Sequence, residues 1–235
     1  MTPADLRAQV AIACRIVALE GYVDLTLGHV SAREPGGRTI WIKRKGPALD
    51  EVTPDDVIPL DLDDPEALSR PGYHLESVMH VEVYRARPDV NGVIHGHPTY
   101  GTALGATDGR LEYLTHDAVL FAGGVGVYED GPSLVTTRDQ GRAVAAALGG
   151  RRAALLRNHG VVVAGEDVPW AVLAAVTLER AVRFQVLAAS LGQLRPISQD
   201  EAEALLPQKY QEGFMAEYWA AWTRRVGPVG GPGGA

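Results

Sequence analysis

Val93-Ile94-His95-Gly96-His97-Pro98 places two imidazoles one residue apart at the end of an apolar run. In an extended strand that spacing aims both rings to one side. Pro98-Thr99 has the chemistry of a helix start, so the pair falls at a strand-to-helix junction, where layered α/β proteins gather their sites. His95 and His97 are therefore candidate metal ligands, although the same spacing serves satisfied core histidines equally well.

Working outward, Pro88 to Gly92 is a turn, and a helix is predicted before it from about Tyr73 to Arg87, with Leu75, Val78, Met79 and Val83 as its apolar stripe. Glu76, His80 and Tyr84 step by four and share the adjoining face; a lone helical glutamate more commonly faces water. Downstream, Leu111–Leu114, Thr115–Asp117, Ala118–Phe121 and Gly123–Val127 read as short strands and turns, and Arg138–Leu148 as an alanine-rich helix. Ala153 to Val163 reads as a hairpin whose Asn158-His159-Gly160 turn carries a third histidine, since Asn and Gly tolerate positive φ. Helices are predicted over Val168–Leu191 and from Ser198 to about Arg225.

Upstream, Thr2-Pro3-Ala4-Asp5 caps a helix that ends at Gly21, and Cys14 on its apolar stripe reads as a small buried hydrophobe. Leu25 to Arg33 is a loop entering a strand through Gly28-His29, Thr39–Ile42 is a second strand, and Val57–Leu60 is an edge strand. Lys43-Arg44-Lys45 is a basic turn that holds two of the three lysines in the chain. A cation run of this kind is either a solvated loop or an anion clamp.

A net charge of -7 without a basic stripe argues against nucleic-acid binding, and no apolar run reaches the length of a membrane span. One cysteine excludes an internal disulfide, and with no export signal the reading is a cytoplasmic protein. No repeat or linker divides the chain. Residues 1–226 read as one catalytic domain and 227–235 as a disordered Gly/Pro tail.

Four segments in order, Gly28 to Arg33, Glu76 with His80 and Tyr84, Val93 to His97, and Leu156 to Gly160, resemble the class II aldolase/adducin family. The likeness spans Asp5 to about Ser190, with 19 positions from Glu76 to His95 and 62 from His97 to His159. It implies one three-layer α/β/α domain around a mostly antiparallel sheet, and a homotetramer with sites at subunit interfaces. It also implies a divalent ion, Zn²⁺ or alternatively Mn²⁺, on His95, His97 and His159, with Glu76 as fourth ligand or as the acid/base. The chemistry agrees: three neutral imidazoles suit Zn²⁺ and leave a position open.

The family's sugar-phosphate aldolases cradle phosphate with a Gly-Asn turn, a Thr-Pro-Ser/Thr-Gly turn and paired serines before the glutamate. Here those places read Gly28-His29, Lys43-Arg44-Lys45-Gly46 and His74-Leu75. A catalytic tyrosine of the aldolases is replaced by His116-Asp117, and Tyr113 substitutes only if the loop shifts. The pattern is similar to the family's non-oxidative decarboxylases of hydroxylated aromatic acids of the dihydroxyphthalate kind. On that resemblance His29, Ser31, Lys43, Arg44, Lys45 and His74 bind a small-molecule carboxylate, and Glu76 or His116 protonates the ring carbon. The alternatives are a retro-aldol lyase or dehydratase acting on a small hydroxy-keto acid or sugar phosphate, and a non-catalytic adducin-like module.

Overall fold

The computed structural model describes residues 2–64, 66–211 and 213–230; positions 231–235 of the tail expected to be disordered lie outside the described residues. Strand β1 (His29–Arg33) is buried along its whole length, so alternate residues meet different layers. It pairs on one side with β2 (Thr39–Lys43), which pairs with β3 (Val57–Asp61). On the other side lies β4 (Gly92–Gly96), followed by β7 (Gly160–Gly165), β6 (Ala153–Leu156) and β5 (Gly126–Tyr128). The order β3-β2-β1-β4-β7-β6-β5 is antiparallel except for the β5–β6 pair.

Val30, Ala32 and Ile94 point into a core shared with α1 (Pro3–Leu19) and α5 (Val168–Leu191). Ile40, Ile42, Val93 and Val162 point into the opposite core, under α2 (Ser77–Ala86) and α4 (Arg138–Leu148). This is the three-layer α/β/α arrangement expected from the sequence. Thr2 and Asp5 form the anticipated capping box of α1. Cys14 is fully buried, and burial pushes its thiol pKa up to about 12, which leaves it unreactive. Among the described residues no helix is long and apolar enough to cross a membrane.

The structure differs from the sequence reading at three places. Helix α2 begins at Ser77 rather than Tyr73, because Pro71-Gly72, with Gly72 at φ 102°, still turns the chain there. After α3 (Thr99–Gly105), residues 111–116 form no strand: Glu112 N–H donates to the Gln185 side chain and Tyr113 C=O accepts from Ile197, so their backbone needs no sheet partner. Asp117–Phe121 is a short 3₁₀ helix instead. Finally, the C-terminal helix is two, α6 (Gln199–Lys209) and α7 (Phe214–Val226), separated where Gly213 takes the left-handed conformation at φ 85°.

Arg33 ties β1 to the end of α2. Its guanidinium donates to the carbonyls of Tyr84 and Arg87 at the helix end, and to those of Pro88 and Val90 in the turn that follows, the first three at 2.9–3.0 Å. Arg33→Met strands these acceptors, and we expect a loss of about 2–3 kcal/mol. The check is a lower urea midpoint at unchanged slope; an unchanged midpoint means that water replaces the arginine at no cost.

Candidate metal centre

Strand β4 ends at Gly96 where β7 begins, with Gly96 opposite Val161, so His95 and His97 on one strand end meet His159 in the turn before the next. Asn158 adopts φ 54°, the left-handed geometry expected of this turn. Glu76 stands at the N-cap of α2 without capping it; one carboxylate oxygen accepts the Val135 N–H at 2.9 Å. One donor atom from each of Glu76, His95, His97 and His159 lies within 4.8 Å of all the others.

The hydrogen bonds fix which nitrogens face the centre. His95 Nδ1 lies 3.0 Å from the Val161 carbonyl and His97 Nδ1 lies 2.6 Å from Asp24 Oδ1. A carbonyl only accepts, so His95 Nδ1 carries the proton; His97 Nδ1 donates likewise to the carboxylate, leaving both Nε2 lone pairs free. His95 Nε2 and both ring nitrogens of His159 are buried without a hydrogen-bond partner. Orphaned imidazole nitrogens at 3.4–3.5 Å from a carboxylate are costly unless a cation joins them, so the residues fit a divalent ion. Burial works against ionisation of Glu76, but His159, His95 and the Val135 amide outweigh it and hold the carboxyl well below its ordinary range.

Two glycines make the approach possible. A Cβ on Gly96 would sit 2.7 Å from Asp24 Oδ2 and from the Tyr22 ring, and one on Gly160 would sit 2.6 Å from the Gly96 carbonyl oxygen and 2.7 Å from the His97 ring. Asp24 was not legible in the sequence. No motif or periodicity marks it, and it gains its role only because the Tyr22–Leu27 turn folds over β4.

Behind the four clustered residues lies a second group of rings. His29 is opposite His95 in the sheet, with ring centroids 5.0 Å apart, and His74 is 4.7 Å from His29. Lys43 is fully buried beneath His74, its Nζ 3.0 Å from Thr26 O, 3.3 Å from Arg44 O and 3.4 Å from His74 Nε2. Among the described residues it has no carboxylate partner. Burial lowers the pKa of Lys43, and burial together with Lys43 lowers that of His74 to about 4.

The other expected substrate-binding residues sit elsewhere. Arg44 turns outward to Asp56 at 2.7 Å, and Lys45 is exposed, so the basic turn does not form a three-cation clamp in this chain. Ser31 shares the face of His29 but lies two residues further along β1, where α2 covers it, so it faces His80 and Tyr84 behind the site rather than the cleft. His116 is exposed at the start of the 3₁₀ helix and makes no hydrogen bond or ion pair to the four ligands.

Residues 8–186 match the Class II Aldolase and Adducin N-terminal domain. The chain belongs to this family. The 4-hydroxy-3-prenylphenylpyruvate oxygenase/4-hydroxy-3-prenylbenzoate synthase of Streptomyces roseochromogenus subsp. oscitans is 34% identical over 205 residues, 85% of this chain and 73% of its own length. The 3,4-dihydroxyphthalate decarboxylase of Arthrobacter keyseri is 33% identical over 205 residues, 82% of either chain. Among solved structures, the L-fuculose 1-phosphate aldolase from Glaciozyma antarctica PI12 superposes with a TM-score of 0.80 at 25% identity, covering 95% of this chain and 88% of its own. Class II aldolases use a divalent metal, and the His/Glu cluster offers this family member a place for one.

Two measurements test the centre. Asp24→Asn removes the charge that orients His97, and we expect metal affinity to fall about 10–100-fold while the fold persists; an unchanged affinity in a metal titration would show that Asp24 is only a turn residue. The second concerns pH. Burial holds His29, His74, His80 and His95 below the ordinary imidazole value. The unfolded chain therefore takes up protons near pH 6.5 that the folded chain refuses, and the metal-free protein should lose stability as pH falls from about 6.5 toward 4. For His97, burial opposes the charged form but the Asp24 carboxylate outweighs it and raises the pKa; its contribution has the opposite sign and fades as pH rises through that value. Four rings against one set the expected outcome, a Tm that drops on acidification below about pH 6.5. A flat Tm down to pH 5 contradicts it.

Proposed function

We propose that this class II aldolase-like lyase removes carbon dioxide, without oxidation, from a hydroxylated aromatic carboxylic acid of the dihydroxyphthalate kind. The observation that carries the reading is Lys43. Its ammonium is buried beneath His74 without a counter-ion, and the line His74, His29, His95 leads from it to the metal cluster. An acidic substrate supplies the missing charge, whereas the small hydroxylated side chains that cradle a sugar phosphate are replaced here by His29, Lys43 and His74. The 3,4-dihydroxyphthalate decarboxylases of Arthrobacter keyseri and Terrabacter support both the reaction and the substrate class by name, whereas the Streptomyces roseochromogenus relative is named as an oxygenase as well as a 4-hydroxy-3-prenylbenzoate synthase.

When bound, a divalent ion supplies Lewis-acid stabilisation of negative charge on the substrate's hydroxyl and carboxylate oxygens. Glu76, held ionised at the cluster, accepts the proton of a ring hydroxyl and returns it to the ring carbon that bears the carboxylate. The bond to the carboxylate carbon then breaks, its electron pair restores the aromatic ring, and carbon dioxide leaves; the ring oxygen recovers its proton from water. Glu76 takes this role in preference to His116, which makes no bond to the cluster. His29 and His74 line the approach, and Lys43 acts through His74 and by its field. Zn²⁺ as the ion, a homotetramer with interface sites, and a cytoplasmic place in aromatic catabolism belong to the same proposal.

The test is a panel of dihydroxylated aromatic mono- and dicarboxylates, hydroxy-keto acids and sugar phosphates, with carbon dioxide, dioxygen and aldehyde measured together. We expect carbon dioxide from the aromatic acids with no dioxygen consumed. Aldehyde from a sugar phosphate or keto acid, or stoichiometric dioxygen uptake, overturns the reading.

A further inference from the structure

The parity of β1 puts His29 and Ser31 on one face, and α2 brings His80 and Tyr84, one turn apart, down onto it. The four form an unbroken file. Tyr84 Oη lies 2.9 Å from Ser31 Oγ, Ser31 Oγ lies 2.6 Å from His80 Nδ1, and His80 Nε2 lies 2.8 Å from His29 Nδ1. All four side chains are buried, and the chemistry above uses neither Ser31, His80 nor Tyr84.

A file of hydrogen bonds can run in two directions, and its buried end selects one. The Tyr84 oxygen also faces the Val93 amide, which is a donor, so among the described residues Ser31 Oγ is the one acceptor for the phenolic proton. If Ser31 donated to Tyr84, the phenolic proton would be left in the interior without an acceptor. Tyr84 therefore donates to Ser31, and the serine proton is directed to His80 Nδ1. His80 then carries its own proton on Nε2 and donates to His29 Nδ1, which places the His29 proton on Nε2. That nitrogen lies on the side of the ring away from His80 and has no hydrogen bond among the described residues, while the ring stands beside His95 and His74.

We propose that Tyr84, Ser31 and His80 are positioning residues that lock His29 in its Nε2–H tautomer, so that it presents a fixed donor to an acidic oxygen of the substrate at the metal centre. The donor role rests on the carboxylate reading given above; the tautomer does not. The lock has a second effect. An imidazole beside the cluster with a free Nε2 lone pair would compete as a ligand for the ion and repel a carboxylate oxygen, and a protonated Nε2 does neither.

The test reads the tautomers directly, in the full chain, metal-free and Zn²⁺-loaded. Multiple-bond ¹H–¹⁵N correlations on histidine-labelled protein resolve seven histidines, with His29→Gln and His80→Gln variants for assignment. We expect both His29 and His80 as Nε2–H forms. Ser31→Ala, which removes the donor to His80 Nδ1, should give mixed tautomers at both rings and lower kcat/KM for 3,4-dihydroxyphthalate about tenfold at unchanged metal content, with a lower Tm because the Tyr84 hydroxyl loses its acceptor. Ser31→Thr, which keeps the hydroxyl, should restore both readouts. An Nδ1–H tautomer at His29 in the wild type overturns the proposal, as does a Ser31→Ala protein that keeps pure Nε2–H forms. Tautomers as expected in a protein that turns over no aromatic acid would sustain the lock and refute the substrate reading instead.

Discussion

The pairing of β1 with β4, which sets His29 opposite His95, is the constraint on which the rest of the structure depends. It decides two things at once. On one face it sends Val30, Ala32 and Ile94 into the core under α1 and α5; on the other it gathers His29, Ser31 and His95 near α2. A slip of one residue would exchange the faces, driving imidazole and hydroxyl groups into the apolar core and emptying the site. Site and core are thus specified by the same register, and neither can form wrongly while the other forms correctly.

The clustering of Glu76, His95, His97 and His159 was legible because metal chemistry restricts residue type and because strand ends and tight turns have local signatures. His95 sits in a strand and His97 just past its end, and His159 sits in a turn whose Asn158 takes the positive φ its residue type allows. The three layers were implied by the family resemblance; the apolar segments by themselves indicated strands with flanking helices. What failed had no local signature. Asp24 acts through a fold-over of an unremarkable turn, and residues 111–116 look like strand material whose backbone partners come from α5 and from Ile197, far along the chain. The division of the C-terminal helix hinged on one glycine in a stretch whose average composition favours helix.

Charge could be counted from the sequence, but its direction could not. Lys43, Arg44 and Lys45 are consecutive, yet the strand parity of β2 and the neighbouring Asp56 give them three different fates: one buried, one paired and one in water. The same holds for the helix-spaced residues Glu76, His80 and Tyr84. Their four-residue step announced a common face; the structure divides that face into a ligand at the helix start and two deeper groups that answer to Ser31 and His29.

Lys43 carries a broader consequence. A cation enclosed among carbonyls and an imidazole, with no anion beside it among the described residues, is poorly placed for folding, and a neutral side chain of similar length would suit the free protein better. Its presence implies that the resting fold is not the lowest state available to this architecture. On the proposed function the missing negative charge comes from the acidic substrate, so the occupant of the cleft is what keeps the lysine inside.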